Sequence, residues 1–390
     1  MANTVLVADE NISLLHELSV VIPTFNRHEF VLRQLRYWSN TGAEVIIVDG
    51  SKEPLAQHAL NKFGFSNLIY LHAQDTFNER LKLAAKKITR TYAVHCSDDD
   101  FLLFSGVISC IKRLKSNKKL IACSGQTIKI NPYRTRSLID YGAGYRTLNY
   151  EIRSKSVAKR LKMALSNYKP VTFYAVMPKD IFTETWGNIQ DNEFAMVQEF
   201  EQIITTYICG DVATVKDLTR LWSVEVFSVS DPSQDRQIKI EDWWTNNYYE
   251  KQKQKFVSKL SNTISSKYGY SYIKSSKILL SALDCYFKNP LQFNPKPNSL
   301  IDIFNWKIKK IANRLLPQRM IFTLKKLRLK VLRILINRRN PLWRKLEYGN
   351  IKKLMLNSDS IPCSITESAY KELKMIEALI FDHYSKDFYI

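Results

Sequence analysis

Three consecutive carboxylates, Asp98, Asp99 and Asp100, follow the apolar run Tyr92-Ala-Val-His-Cys96 after a single serine. Adjacent like charges raise one another's pKa, so the arrangement is costly unless a cation compensates or water hydrates all three. A hard divalent ion, Mg2+ or Mn2+, bound through one or two carboxylates and completed by phosphate oxygens, supplies that compensation. On this ground the triplet is a candidate site for such an ion. The plainer alternative is a hydrated turn in which Asp98 caps the next helix. The six histidines show no ligand spacing and the six cysteines no C-x-x-C pair, so neither a zinc site nor a disulfide scaffold is expected.

The elements that must position the triplet alternate in type. Residues 18–23, 43–49, 67–71 and 92–96 are short β-branched or apolar runs, with helical apolar spacing over 29–39 and 77–88. Strands alternating with helices of this length predict an α/β fold, a mostly parallel sheet covered on both faces. Ligands of such sheets gather at the C-terminal strand ends, where Pro23, Asp49 and the triplet all fall. The Tyr- and Arg-rich stretch 126–172 has the composition of a loop-bearing insertion over a site, with Tyr141 and Tyr145 flanking Gly142-Ala-Gly144 in the manner of a lid. A strand is expected at 171–177, a helix over 193–209 closed by Gly210, an edge strand at 224–229 and helix over 243–287.

The chain has 390 residues with 58 Lys and Arg against 37 Asp and Glu, a net charge of +21. Segment 301–355 holds sixteen Lys or Arg and only two acids, Asp302 and Glu347, so +14 of that charge belongs to it. Within it, 320–336 reads as a basic amphipathic helix suited to an anionic membrane interface, or, more plainly, to packing on the rest of the chain with its cations in water. The prolines of 288–299 mark a boundary, and Ser364-Ile-Thr-Glu367 reads as a capping box opening a final helix over 366–381. Three regions result: a catalytic domain over 1–235, a helical extension and linker over 236–300, and a basic helical module over 301–390. No apolar run approaches the roughly 20 residues needed to span a bilayer, and 1–17 lacks the basic start of a signal peptide. The expected location is cytoplasmic, peripheral on the inner face of the cell membrane.

Val20-Val-Ile-Pro-Thr-Phe-Asn-Arg27, Val45-Ile-Ile-Val-Asp-Gly-Ser51 and the triplet, each after a strand and in this order, resemble the nucleotide-sugar-binding half of family 2 glycosyltransferases with the GT-A fold. The resemblance covers about residues 18–125; it is weaker through 160–177 and 199–222, where it is similar to one bacterial subgroup, and absent beyond about 235. It implies a Rossmann-like GT-A sheet, with Pro23, Thr24, Asn26, Arg27 and Asp49 around the nucleoside, Arg80, Asp98 and Asp99 near the ribose or diphosphate, and Asp98 and Asp100 as the ligands of Mg2+ or Mn2+. Asp49 stands alone where the family more often has two acids. Arg80 has a second explanation, as part of the wet face of an amphipathic helix with Lys82, Lys86 and Lys87.

Inverting sugar transfer needs a base to take the acceptor's proton and a charge to meet the leaving diphosphate. The family places the base near the start of a helix beyond the later strands. Glu199 and Glu201 lie there, about 200° apart around a helix axis, so only one of them faces a site. The resemblance favours Glu199, with Asp100 as its catalytic partner at the metal, while Glu201, Asp191 and Glu193 stay open. The expected function is transfer from a nucleotide sugar, a uridine diphosphate sugar by preference, to a hydroxyl of a bacterial surface glycan or lipid-linked glycan. The alternatives are a sugar nucleotidyltransferase and a non-catalytic protein binding membrane or nucleic acid. No Gly-rich phosphate loop supports the first alternative, and no nucleic-acid motif supports the second.

Overall fold

The computed structural model describes residues 13–133, 138–143, 147–192, 194–223, 238–288 and 366–385. The first half alternates β1 (Leu18–Thr24), α1 (His28–Trp38), β2 (Glu44–Asp49), α2 (Gln57–Asn61), β3 (Leu68–His72), α3 (Phe77–Ala85) and β4 (Tyr92–His95). These strands form a parallel sheet in the order β3-β2-β1-β4, closed by the short antiparallel β9 (Met177–Pro178). Every residue of β1 and β2 is buried, the pattern of strands covered on both faces. Alternation along the strand divides the load: Val20, Ile22, Val45 and Ile47 pack with Leu35, Trp38 and Val107, whereas Val21, Ile46 and Val48 pack with Leu81, Phe182 and Ile204. The α/β architecture expected from the sequence is the one observed.

A second sheet carries β5 (Phe101–Leu102), β10 (Asp211–Ser223), β6 (Leu120–Tyr133) and β7 (Leu138–Ala143) in that order, and β8 (Glu151–Ile152) pairs with β10. Helix α4 (Phe104–Ser116) precedes β6; α5 (Val157–Ser166), α6 (Lys179–Trp186) and α7 (Ala195–Cys209) precede β10. Segment 126–172 is thus largely regular structure rather than a loop, because the β6–β7 hairpin extends the second sheet, and Gly142 and Ala143 lie in a strand. Of the strand expected over 171–177 only Met177 lies in a strand, β9, with Val176 in an isolated bridge to Cys123 after a turn at Phe173 and Tyr174. Gly210 ends α7 in extended backbone at φ 174°; a Cβ there would lie 2.8 Å from Ile121, so close packing selects this glycine.

Hydrophobic packing crosses two of the expected boundaries. Helices α8 (Ile240–Thr245), α9 (Glu250–Tyr268) and α10 (Tyr272–Phe287) share one hydrophobic cluster with α5, α6 and α7 instead of forming a separate extension. Gly269, at φ 66°, ends α9 in the left-handed region, and Ser271 caps α10. The last helix, α11 (Glu367–Ser385), returns to the first core through Ala369, Leu373, Ile376 and Ile380. Thr366 Oγ1 accepts from the Ala369 amide at its start; Ser364 lies outside the described residues, as do 224–229 and 301–355.

Helix α11 also repairs a defect in α4. Leu103 precedes α4 and has no side chain to cap it, so Glu372 accepts from the Phe104 and Ser105 amides at 2.5 and 3.0 Å. Removing that carboxylate leaves two buried N–H groups unmet. Glu372→Ala is expected to cost about 1–3 kcal/mol in urea denaturation; an unchanged midpoint would show that α11 does not dock there.

Candidate active site

The path of β1 determines where the triplet turns. Thr24 O accepts from Gly50 on the β2 side, and Val21 O accepts from Cys96 on the β4 side, so odd-numbered residues of β1 face β4. Pro23 is the next odd residue and has no N–H to give. The strand therefore continues one residue past the expected 18–23, through Pro23 to Thr24, while pairing to β4 stops and 97–100 turns away. Asn26 follows at φ 54°, which asparagine tolerates better than most residues, and its amide donates to Ser51 Oγ at 2.7 Å.

Each predicted nucleoside contact is engaged by the protein. Asp49 is fully buried; it accepts from the Ser51 amide, the Tyr70 hydroxyl and the His28 ring at 2.8, 2.6 and 2.8 Å. Burial acts to raise its pKa, but these bonds prevail and hold it below the usual carboxylate range. Arg80 is 5% exposed and lies under the Gly50 turn, donating to the carbonyls of Thr24 and Val48. A Cβ on Gly50 would stand 2.6 Å from its guanidinium carbon. Arg80 thus ties the ends of β1 and β2 together and is no part of a wet face, whereas Lys86 and Lys87 are exposed.

The triplet is compensated by arginines. Asp98 accepts from Thr24 Oγ1 at 2.7 Å and from Arg27 through Nε at 3.0 Å and Nη2. Asp100 accepts from Arg220 Nε and Nη2 at 2.8 and 2.5 Å and from the Ser223 amide at 2.9 Å. Burial outweighs the arginine in each case and pushes both acids up to about 6. Helix α1 grips the backbone of the same turn: Gln34 donates to the carbonyls of Asp98 and Asp100, and Arg33 to that of Asp99.

As a pair of metal ligands, Asp98 and Asp100 do not fit this arrangement. Their side chains are 0% and 1% exposed and already carry guanidinium groups, and no group of three or more His, Cys, Asp or Glu among the described residues is arranged to hold an ion. Asp99 differs. Its side chain keeps 13% of its surface and meets Arg27 Nη1 only at 3.2 Å. One carboxylate with two phosphate oxygens is a sufficient anchor for Mg2+ or Mn2+, so Asp99 is the member of the triplet that fits one.

Helix α7 separates its two glutamates as its geometry demands. Glu201 is buried and bonded to Lys259 and to the Gln190 amide, a structural arrangement. Asp191 is exposed and accepts from Thr76 Oγ1 at 2.9 Å, and Glu193 lies outside the described residues. Glu199 is half-buried and has no hydrogen-bond partner among the described residues. It lies in the field of Arg220 and close enough to Tyr174 and Tyr286 to raise their pKa values. Burial pushes Glu199 up to about 7 despite the opposing pull of Arg220.

Arg220 links these groups and was not singled out from the sequence. Its guanidinium carbon sits 3.3 Å from the Tyr174 ring centroid while binding Asp100. A lone cation in the apolar run Leu218-Thr-Arg-Leu-Trp222 was the available signal. The aromatic side chains between Tyr150 and Trp186 are mostly packed inward: Tyr150 bonds Tyr207, and Phe173, Tyr174 and Trp186 surround His95. Burial pushes His95 down to about 3, so it stays neutral at working pH. The side chains of Tyr133, Tyr141 and Tyr145 lie outside the described residues.

No family model and no curated protein matches this chain. Among solved structures it is similar to a crystal structure of S. aureus TarS 1-349, at 10% identity and TM-score 0.46, over 74% of this chain and 77% of that one. A second structure of S. aureus TarS is similar at 13% identity and TM-score 0.44, over 74% of this chain and 47% of that one.

An acid held at about 7 when folded, above its ordinary 4.5, binds its proton more tightly folded than unfolded. Its contribution to stability is therefore lost as pH rises from about 4.5 through 7. Glu199→Gln is expected to exceed the parent chain in stability at pH 8, on the order of 1–3 kcal/mol more than at pH 4. Urea denaturation at both pH values measures this; an equal difference at both would mean that the carboxylate is solvated.

Proposed function

We propose that this chain is an inverting, metal-dependent glycosyltransferase that moves a sugar from a nucleotide donor, preferentially a uridine diphosphate sugar, to a hydroxyl of a bacterial surface glycan or lipid-linked glycan. The observation that carries the proposal is Glu199: a carboxylate with no hydrogen-bond partner among the described residues, raised to about 7, in the field of the Arg220–Asp100 pair beside the strand-end turn. A base works best when its pKa lies near the working pH. The motifs over 20–27, 45–51 and 98–100, brought together at the C-terminal ends of parallel strands, support the donor half of the reading.

In the proposed reaction the acceptor oxygen attacks the anomeric carbon from the face opposite the diphosphate, and its proton passes to a Glu199 carboxylate oxygen. The bond to the leaving diphosphate oxygen breaks with inversion. Arg27, whose side chain is 15% exposed, lies at the same turn and can meet the charge that develops. Mg2+ or Mn2+ on Asp99 would supply further neutralisation of that oxygen. Asp49 and Arg80 would act by holding the turns that the nucleoside contacts. Membrane association through 301–355 belongs to the same proposal.

Release of nucleoside diphosphate from a panel of nucleotide sugars, with glycan acceptor and Mn2+, tests the reading; release of pyrophosphate instead would identify a nucleotidyltransferase. Glu199→Gln is expected to lower kcat at least 100-fold with little change in donor KM, and kcat/KM of the parent chain to rise with pH to a plateau above about 7. A Gln variant as active as the parent would remove Glu199 from the mechanism. Asp99→Asn is expected to raise the Mn2+ concentration for half-maximal rate at least tenfold with stability kept, whereas Asp98→Asn, which strands Arg27, should mainly lower the melting temperature. The reverse pattern would assign the ion to Asp98.

A further inference from the structure

Three of the five large hydrophobic side chains exposed among the described residues sit on α10: Tyr272, Ile273 and Leu280, at 46, 67 and 42% exposure. Ile273, Lys277 and Leu280 are spaced i, i+4, i+7 and so form one stripe. The opposite face of the helix, Leu279, Ala282, Leu283 and Tyr286, is buried in the core. Beside the stripe, α5 and α10 border a groove of about 450 Å³ lined by Ile273, Ile278, Lys162, Lys274 and Lys277 with small residues and no acid. Lys159 and Lys162 on α5 are exposed, as are Lys274 and Lys277 on α10. The one acid on α10, Asp284, is paired with Lys288 at 2.7 Å.

Charge decides what can cover such a face. The chain's own basic segment 301–355 would bring cations against cations. A second copy in a two-fold contact would set the same lysines opposite themselves. An anionic lipid surface meets both features, because apolar side chains enter the headgroup boundary while lysine stems lie along it with their ammonium groups at the lipid phosphates. We infer that the α5–α10 face of this chain docks onto an anionic membrane, with Tyr272, Ile273 and Leu280 inserted and Lys159, Lys162, Lys274 and Lys277 at the headgroups. Tyr286, which Glu199 influences, lies 13 residues along α10 from Ile273, about 20 Å on the helix rise. Docking would therefore hold Glu199 within reach of acceptors at the lipid surface; the membrane contact itself does not rest on the proposed activity.

Co-sedimentation of the full chain with phosphatidylcholine vesicles containing 30% phosphatidylglycerol, and with phosphatidylcholine alone, tests the inference without turnover. The parent chain is expected to favour the anionic vesicles. K274E/K277E should reduce partitioning at least tenfold at low salt, and I273S/L280S at least threefold in low and high salt. All four positions are surface ones, and thermal melts check that the variants stay folded. Parent-like partitioning of both variants overturns the inference, since the basic segment 301–355 would then account for binding. Loss of binding to a soluble polyanion with no change in vesicle binding also overturns it and identifies an acidic macromolecule as the occupant.

Discussion

Two guanidinium groups, Arg220 buried and Arg27 partly buried, hold this structure to its chemistry. The turn after β4 places Asp98 and Asp100 out of water, and each depends on one arginine for compensation, Arg27 at the mouth of β1 and Arg220 on β10. Removing one partner from a buried pair strands a charge, at a cost of about 3–5 kcal/mol. Because Arg27 precedes the first helix and Arg220 belongs to the second sheet, the triplet fastens the two sheets together. Leu102 pairs with Arg220 in the antiparallel β5–β10 ladder, so the join is continued in the backbone.

This arrangement divides labour among three identical residues. Two of the carboxylates build the turn and the third, Asp99, faces outward. A similar division separates Glu199 from Glu201 on α7. One is bonded to Lys259 and is part of the scaffold; the other has no hydrogen bond from the described residues and lies beside an arginine that is already committed to Asp100. A half-buried carboxylate whose pKa is raised by burial opposes stability at neutral pH, and such cost is typical of a group retained for its reactivity.

The helices after the second sheet complete the site rather than extend it. Helix α10 has one end near Glu199, at Tyr286, and the other at an apolar and lysine-bearing surface, so membrane docking and catalysis would share one rigid element. Helix α11 comes back from the far end of the chain to cap α4, the helix that directly follows the triplet and β5.

Much of this was legible in the residues themselves. Continuous apolar runs and their intervening helices specify the parallel sheet, since only burial on both faces suits strands such as Val45-Ile-Ile-Val48. Those strands in turn send Pro23, Asp49 and the triplet to one edge. Other features were beyond reach because they depend on partners distant in sequence. Arg220 lies 120 residues from Asp100 and Glu372 lies 268 from Phe104. No local propensity encodes such a pairing. Composition could say that three adjacent acids require compensating charge, but whether an ion or an arginine provides it is settled by which chain segment folding brings into contact, and by how much water that contact leaves behind.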